Sequence, residues 1–175
     1  MKNLLKADGE RTEPVITKDE LRNSFTKILT NLYFVKQQLK GYLPLLLSKA
    51  TFKPLKLQIR EIIININADL LRLDFIFKVL NIDPATLNST IRDSINLESQ
   101  VTRNLKDLNL TETDMSILYH ILIVETISSS SFKLLFKQAI LLGNKEIYNW
   151  VHEILKESVA TKKKINELLK AYFEQ

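Results

Sequence analysis

Apolar residues recur at three- and four-residue spacing through four long segments, and that repeat excludes most folds open to a chain of this size. The first segment carries Leu21, Phe25, Ile28, Leu32, Val35, Leu39, Leu43 and Leu46. The second carries Leu55, Ile59, Ile62, Ile66, Asp69, Leu73, Ile76 and Leu80. The third carries Ile117, Ile121, Val124, Ser128, Ser131, Leu135 and Leu142; the fourth carries Ile147, Val151, Ile154, Ser158, Thr161, Ile165, Leu168 and Tyr172. Residues three and four apart share one helix face, so each segment predicts a long amphipathic helix. The stretch "EIIININADLL", residues 61–71, tests this, because its isoleucines favour a strand. A half-buried strand needs alternation, which the consecutive Ile62, Ile63 and Ile64 break. The β-branched residues cost a helix only a few tenths of a kcal/mol each.

Punctuation agrees with the repeat. Thr17 followed by Glu20 has capping-box spacing, and Pro54 suits the first turn of the second helix. Pro44 is expected to kink the first helix near its end. "NIDPAT" stops the second helix, and a shorter, more polar connector helix is expected from about Ala85 to Leu105, with Leu87, Ile91, Ile95 and Val101 as a thin apolar face. "LNLTETD" starts the third long helix, with Thr111 or Thr113 as its cap, and Gly143-Asn144 makes the last turn. Residues 1–16, with the polar "ADGERTEP", read as a flexible arm ahead of one helical domain over residues 17–175. Three glycines and four prolines are too few for a β protein built on tight turns. The expected fold is all-α: a four-helix bundle with a short extra connector helix between helices two and three.

Several function classes find no support. The chain has no cysteine, hence no disulfide, thiolate nucleophile or thiolate metal site. The serines at 128–131 lack nucleophile-elbow glycines, and the glycines at 9, 41 and 143 are too scattered for a phosphate loop. The net charge of +5 is spread along the chain, and its one tight cluster, Lys162-Lys163-Lys164, reads as a solvated helix face rather than a nucleic-acid site. No secretory signal is visible and no apolar run approaches the ~20 residues of a membrane span. A cytoplasmic protein with no membrane or nucleic-acid partner is expected. Trp150, Tyr148 and Phe132 read as core or dimer-interface residues.

Each long helix is interrupted near its middle. Lys36 flanks the first stripe. Asn65 and Asp69 lie four apart on the second, Glu125 lies beside Ser128 on the third, and Glu157 beside Ser158 on the fourth with Lys162 one turn later. Helices packed side by side bring these middles to one height. Bundles build dinuclear metal sites there, from a Glu on each of two helices and Glu-x-x-His on the others. Neither His120 nor His152 follows a Glu by three, and an ammonium in the cage repels a metal ion. An ion-paired layer is the simpler expectation, with Lys36 and Lys162 neutralising Asp69, Glu125 or Glu157.

At these residues the chain resembles the bacterial ferritin-like family of YciE/YciF type, associated with stress responses. The stretches "LYFVKQQLKGYLPLL", "ATFKPLKLQIREIIININADLLRLDFIFKVLN" and "LGNKEIYNWVHEILKESVATKKKINELL" are similar to its first, second and last helices. The resemblance covers most of residues 18–172. It implies a dinuclear metal centre in members with an intact ligand set. Here the family's first-helix Glu falls on Lys36, and its second-helix acidic residues and His fall on or near Ile64, Asn65 and Asp69. Its third-helix pair keeps Glu125 but meets Ser128, and its fourth-helix set keeps Glu157 but meets Ser158 and Lys162. The resemblance therefore implies a non-catalytic, stress-related bundle, a homodimer with an unidentified protein partner and no cofactor. The alternative is an iron- or manganese-binding ferritin-like oxidoreductase or iron-handling protein with an altered site. Asp69, Glu125 and Glu157 would be its ligands, joined by His120 or His152 if the helix registers differ.

Overall fold

The structure, a computed structural model, describes residues 16–86, 102–103 and 105–174. Four long helices account for most of them: α1 (Lys18–Lys49), α2 (Lys53–Leu80), α3 (Leu110–Leu142) and α4 (Lys145–Phe173). No strand occurs among the described residues, and "EIIININADLL" is the middle of α2. The proposed arm falls outside the described residues except for Ile16, as does most of the connector helix, of which the structure describes a 3-10 turn at Pro84–Thr86 and residues 102, 103 and 105.

The helix ends follow local chemistry. Thr17 caps α1 by accepting from the Glu20 amide at 3.2 Å while Glu20 accepts from the Thr17 amide at 2.9 Å. Helix α1 continues through Pro44 to Lys49. The cap of α3 is Asn109, not Thr111 or Thr113: its side chain accepts from the Glu112 amide, and Glu112 returns the bond. The threonines were offered by the same polar run, but Thr113 is already inside the helix and donates to the Asn109 carbonyl. Gly143, at φ 70°, closes α3 in the left-handed region, and Asn144 caps α4.

Cross-helix pairs fix the topology. Arg22 reaches the Leu80 carbonyl and Lys36 reaches Asp69, so α1 and α2 are antiparallel. Gln138 bonds Ser24 and Tyr42 bonds His120, so α1 and α3 are antiparallel too. Glu61 pairs with Lys164 and Phe75 stacks on Trp150, setting α4 against α2. Helices α2 and α3 therefore run in the same direction. Four long helices with α1 antiparallel to α2 and to α3 form a ferritin-like four-helix bundle.

The core divides into two apolar clusters. One gathers Leu39, Leu43, Leu55, Ile59, Ile117 and Ile121 towards the α1–α2 turn. The other gathers Phe25, Leu29, Leu73, Ile76, Phe132 and Ile154 towards the α3–α4 turn. Expectations about membrane length need one correction: α3 is long and apolar enough to cross a membrane by length and composition, with 44% of its most apolar window buried in the bundle. Its apolarity serves the core on one side. On the other it leaves Tyr119, Ile123, Ile127, Leu134 and Leu141 exposed.

Candidate functional site

The two clusters are separated by a polar layer, and its centre is Lys36. Lys36 and Asp69 are each 2% exposed, as deeply buried as the leucines around them. Lys36 does not flank the core face of α1 but belongs to it: the buried positions run Phe25, Leu29, Leu32, Lys36, Leu39, Leu43 and Leu46, while Ile28 and Val35 are only half-buried. The Lys36 Nζ lies 3.0 Å from Asp69 Oδ2 and 6.0 Å from the centre of the Phe132 ring. Burial alone opposes its charge. Glu125 and Asp69 more than offset this and hold the ammonium above the ordinary lysine range.

The second cation of the layer is Arg72, which sequence reasoning missed. Its Nη1 reaches Asp69 Oδ1 at 3.2 Å and Glu157 Oε2 at 2.7 Å, and its Nη2 reaches Glu157 Oε1 at 2.6 Å. The bond to Glu157 is thus bidentate, the geometry in which guanidinium–carboxylate pairing is strongest. It also raises the Arg72 pKa. One local signal was present: Arg72 follows Asp69 by three residues, the spacing of neighbours on a helix surface.

Glu125 enters from α3, buried, and accepts from Ser158 Oγ of α4 at 2.9 Å. Ser128, one turn on, is buried with no protein partner for its hydroxyl. Asn65 is half-buried one turn before Asp69. The layer thus brings together Lys36, Asp69, Glu125, Glu157 and Ser158, with Ser128 and Asn65 adjoining. Lys162 is not among them. It lies half-buried in a surface groove with Val159, Lys163, Asn166, Glu167 and Lys170, since one further turn of α4 carries it away from the layer. Neither histidine joins: His120 bonds the Tyr42 hydroxyl at 2.7 Å, and His152 packs on Phe136 and Tyr148. Phe132 is core, Trp150 stacks on Phe75 at the surface, and Tyr148 sits beside Phe136.

Three carboxylates therefore face two cations, leaving one negative charge over. Burial pushes the Asp69 carboxyl up, and Lys36 pulls it down without cancelling the rise. The pH consequence rests on Lys36. Its folded pKa lies above its unfolded value, so the stability it contributes is complete below the usual lysine value of about 10.4 and is lost as pH rises through the higher folded value. The stability difference between the wild type and Lys36→Met should stay constant from neutral pH to that point and shrink above it. Urea unfolding of both proteins across the alkaline range checks this; a difference already shrinking near neutrality would contradict it.

A dinuclear metal centre does not fit this layer. Among the described residues no three histidine or carboxylate side chains are grouped to hold a metal ion. Asp69 and Glu157 are engaged by Arg72, and the Lys36 ammonium stands against Asp69 where a cage would need anionic oxygen.

The antiparallel packing of α1 against α2 and α3, the parallel run of α2 and α3 and a charged layer at mid-height define a ferritin-like bundle. The chain belongs to the family described as Domain of unknown function (DUF892), which it matches over residues 20–175. Solved structures of YciE/YciF type are similar to it. The stress protein YciF of E. coli shares 17% identity at a TM-score of 0.79, over 89% of this chain and 98% of that one. YcfI of Rhodopseudomonas palustris, provisionally described as a structural protein, shares 23% at 0.74, over 89% and 96%. A protein of Xanthomonas campestris pv. campestris shares 16% at 0.65, over 89% and 97%. At these identities the likeness establishes the fold. No curated protein matches the chain significantly.

Proposed function

We propose that this protein is a non-catalytic ferritin-like bundle that has lost the dinuclear metal site and acts in a stress-related setting as an interaction or structural protein. The observation that carries the proposal is the Lys36 ammonium, buried and bonded to Asp69 at 3.0 Å in the middle of the bundle. A cation there takes up the negative charge that a metal ion would need. The stress setting draws support from the fold shared with the E. coli stress protein YciF. The interaction role draws support from Leu57, Ile64, Leu71 and Phe75, which stand exposed along the outer face of α2. Apolar residues aligned on one helix face are more than the scattered singles of an ordinary surface. A second copy of the chain is the partner expected first, and sedimentation velocity should give the mass of a dimer.

Metal analysis of protein purified without chelator tests the central point. Iron and manganese should be far below one per chain. Near-stoichiometric metal that disappears in Glu125→Ala would sink the proposal and favour the metal-binding alternative through Asp69, Glu125 and Glu157.

A further inference from the structure

We infer that two copies of the chain pair through α2 itself, antiparallel, about a twofold axis beside Ala68. The inference rests on the interaction role proposed above and adds which face makes the contact and in which direction. Ile64 and Leu71 are the most exposed apolar side chains of α2, at 68% and 62%. Two turns of helix set them on one line with Leu57. Phe75 extends the line, stacked on Trp150 of α4. From Leu57 to Phe75 the face is about 27 Å long at roughly 1.5 Å per residue. Ala68 lies between Ile64 and Leu71. Its side chain ends at Cβ, so a second helix can approach closely there.

The charges beside this face set the direction. Arg60, Asn67 and Asp74 follow one another two turns apart along one edge of α2. That edge is the one towards α1, because Asp74 lies beside Tyr33. Neither Arg60 nor Asp74 has an ion pair among the described residues. On the opposite edge, towards α4, Glu61 is already bonded to Lys164. A twofold axis that reverses the helix direction brings the α1-side edge of one copy onto the same edge of the other. With the axis beside Ala68, Ile64 faces Leu71 of the second copy, and Arg60 comes level with Asp74 of the second copy. Symmetry makes each pair occur twice. A parallel pair would instead set Arg60 against Glu61, which Lys164 engages, and Asp74 against the ring of Phe75. The antiparallel pair is the one that neutralises the two free charges. It closes at two copies, because both use the same patch.

The chain has no cysteine, so introduced cysteines report the contact without background. Ala68→Cys in the full chain should form a disulfide-linked dimer on mild oxidation, since facing Cα atoms beside the axis come within the roughly 4.4–6.8 Å that a disulfide spans. Ile64→Cys and Leu71→Cys should each fail to link to themselves, yet should link to one another when the two proteins are mixed, left to exchange and oxidised. Arg60→Glu should weaken the dimer at least about tenfold in sedimentation velocity, because it sets two acids face to face. Adding Asp74→Lys to Arg60→Glu should restore the pairing. Circular dichroism checks that each variant keeps its helices; all of these positions are exposed or half-buried. A dimer in which Ile64→Cys links to itself has parallel helices, and a dimer that links at none of these positions uses another face. Either result overturns this inference and leaves the interaction role standing. A chain that sediments only as a monomer defeats this inference together with the second copy as partner. Metal content decides the non-catalytic reading independently of all these results.

Discussion

Asp69→Ala should lose about 3–5 kcal/mol of stability, the cost of breaking a buried ion pair from one side. The substitution strips Lys36 of the partner at 3.0 Å and leaves its ammonium between two apolar clusters. Arg72 is affected far less, because it keeps both bonds to Glu157 and some access to water. A domain of this size is stabilised by roughly 5–15 kcal/mol, so the loss is a large share of the total. The melting temperature should fall by on the order of 10 °C. Two controls separate charge from packing. Asp69→Asn keeps the shape and removes the charge, and should cost nearly as much. The double substitution Lys36→Met with Asp69→Leu removes both charges and fills the space, and should return most of the stability, since apolar replacement of a buried pair is often neutral or better. Urea unfolding measures all three. An Asp69→Ala protein within 1 kcal/mol of the wild type would mean that Glu125 by itself satisfies the buried ammonium.

The four helices were legible because each buries one continuous stripe, and a stripe survives as periodicity even when β-branched residues interrupt it. The carboxylates of the layer were legible for a related reason: an acid such as Asp69 stands out on an otherwise apolar face. Lys36 was misplaced by one position. Reading Ile28 and Val35 as stripe members pushed it to the flank, whereas the strict 4-3 alternation through Phe25, Leu29, Leu32, Lys36, Leu39, Leu43 and Leu46 puts it in the core. Choosing between the two requires knowing that a lysine can be buried, and only Asp69 and Glu125, contributed by other helices, make that affordable. Arg72 was missed for the converse reason. An arginine beside an apolar stripe is the usual solvated residue, and its bidentate partner Glu157 lies 85 positions away. Lys162 was favoured over it because it lies one turn after Ser158 in sequence. On α4, however, the face that meets the layer is set by Ile154, Ser158 and Ile165, and Lys162 points to the neighbouring groove.

Asp114→Ala should be the second most damaging substitution, at about 3 kcal/mol, although in the sequence Asp114 is only the last residue of the helix-starting run "LNLTETD". In the fold it is 2% exposed and holds the α1–α2 connection. One carboxylate oxygen accepts from the Thr51 amide at 2.7 Å; the other accepts from the Phe52 amide at 2.9 Å and from the Thr51 hydroxyl. Phe52 is the N-cap residue of α2 and offers no side-chain acceptor of its own. Asp114 therefore supplies from α3 the cap that α2 lacks, with an anion at the positive end of the helix dipole. Hydrogen bonds to a charged group contribute about 1.5–3 kcal/mol each, and three on one carboxylate are not additive. Because Thr51 is exposed, water recovers part of the loss, which keeps the expected cost near that of one or two such bonds, about 3 kcal/mol, well below the sum of three. Asp114→Asn retains an acceptor but turns a donor towards one of the amides, so it should recover less than half of the loss. Amide hydrogen exchange at Thr51 and Phe52 should accelerate in both variants before global unfolding does, since the connection opens first when its clamp is removed. Unchanged exchange at these two amides, with stability within 0.5 kcal/mol of the wild type, would show that the short connection is held by the packing of Ala50, Phe52 and Leu55 alone.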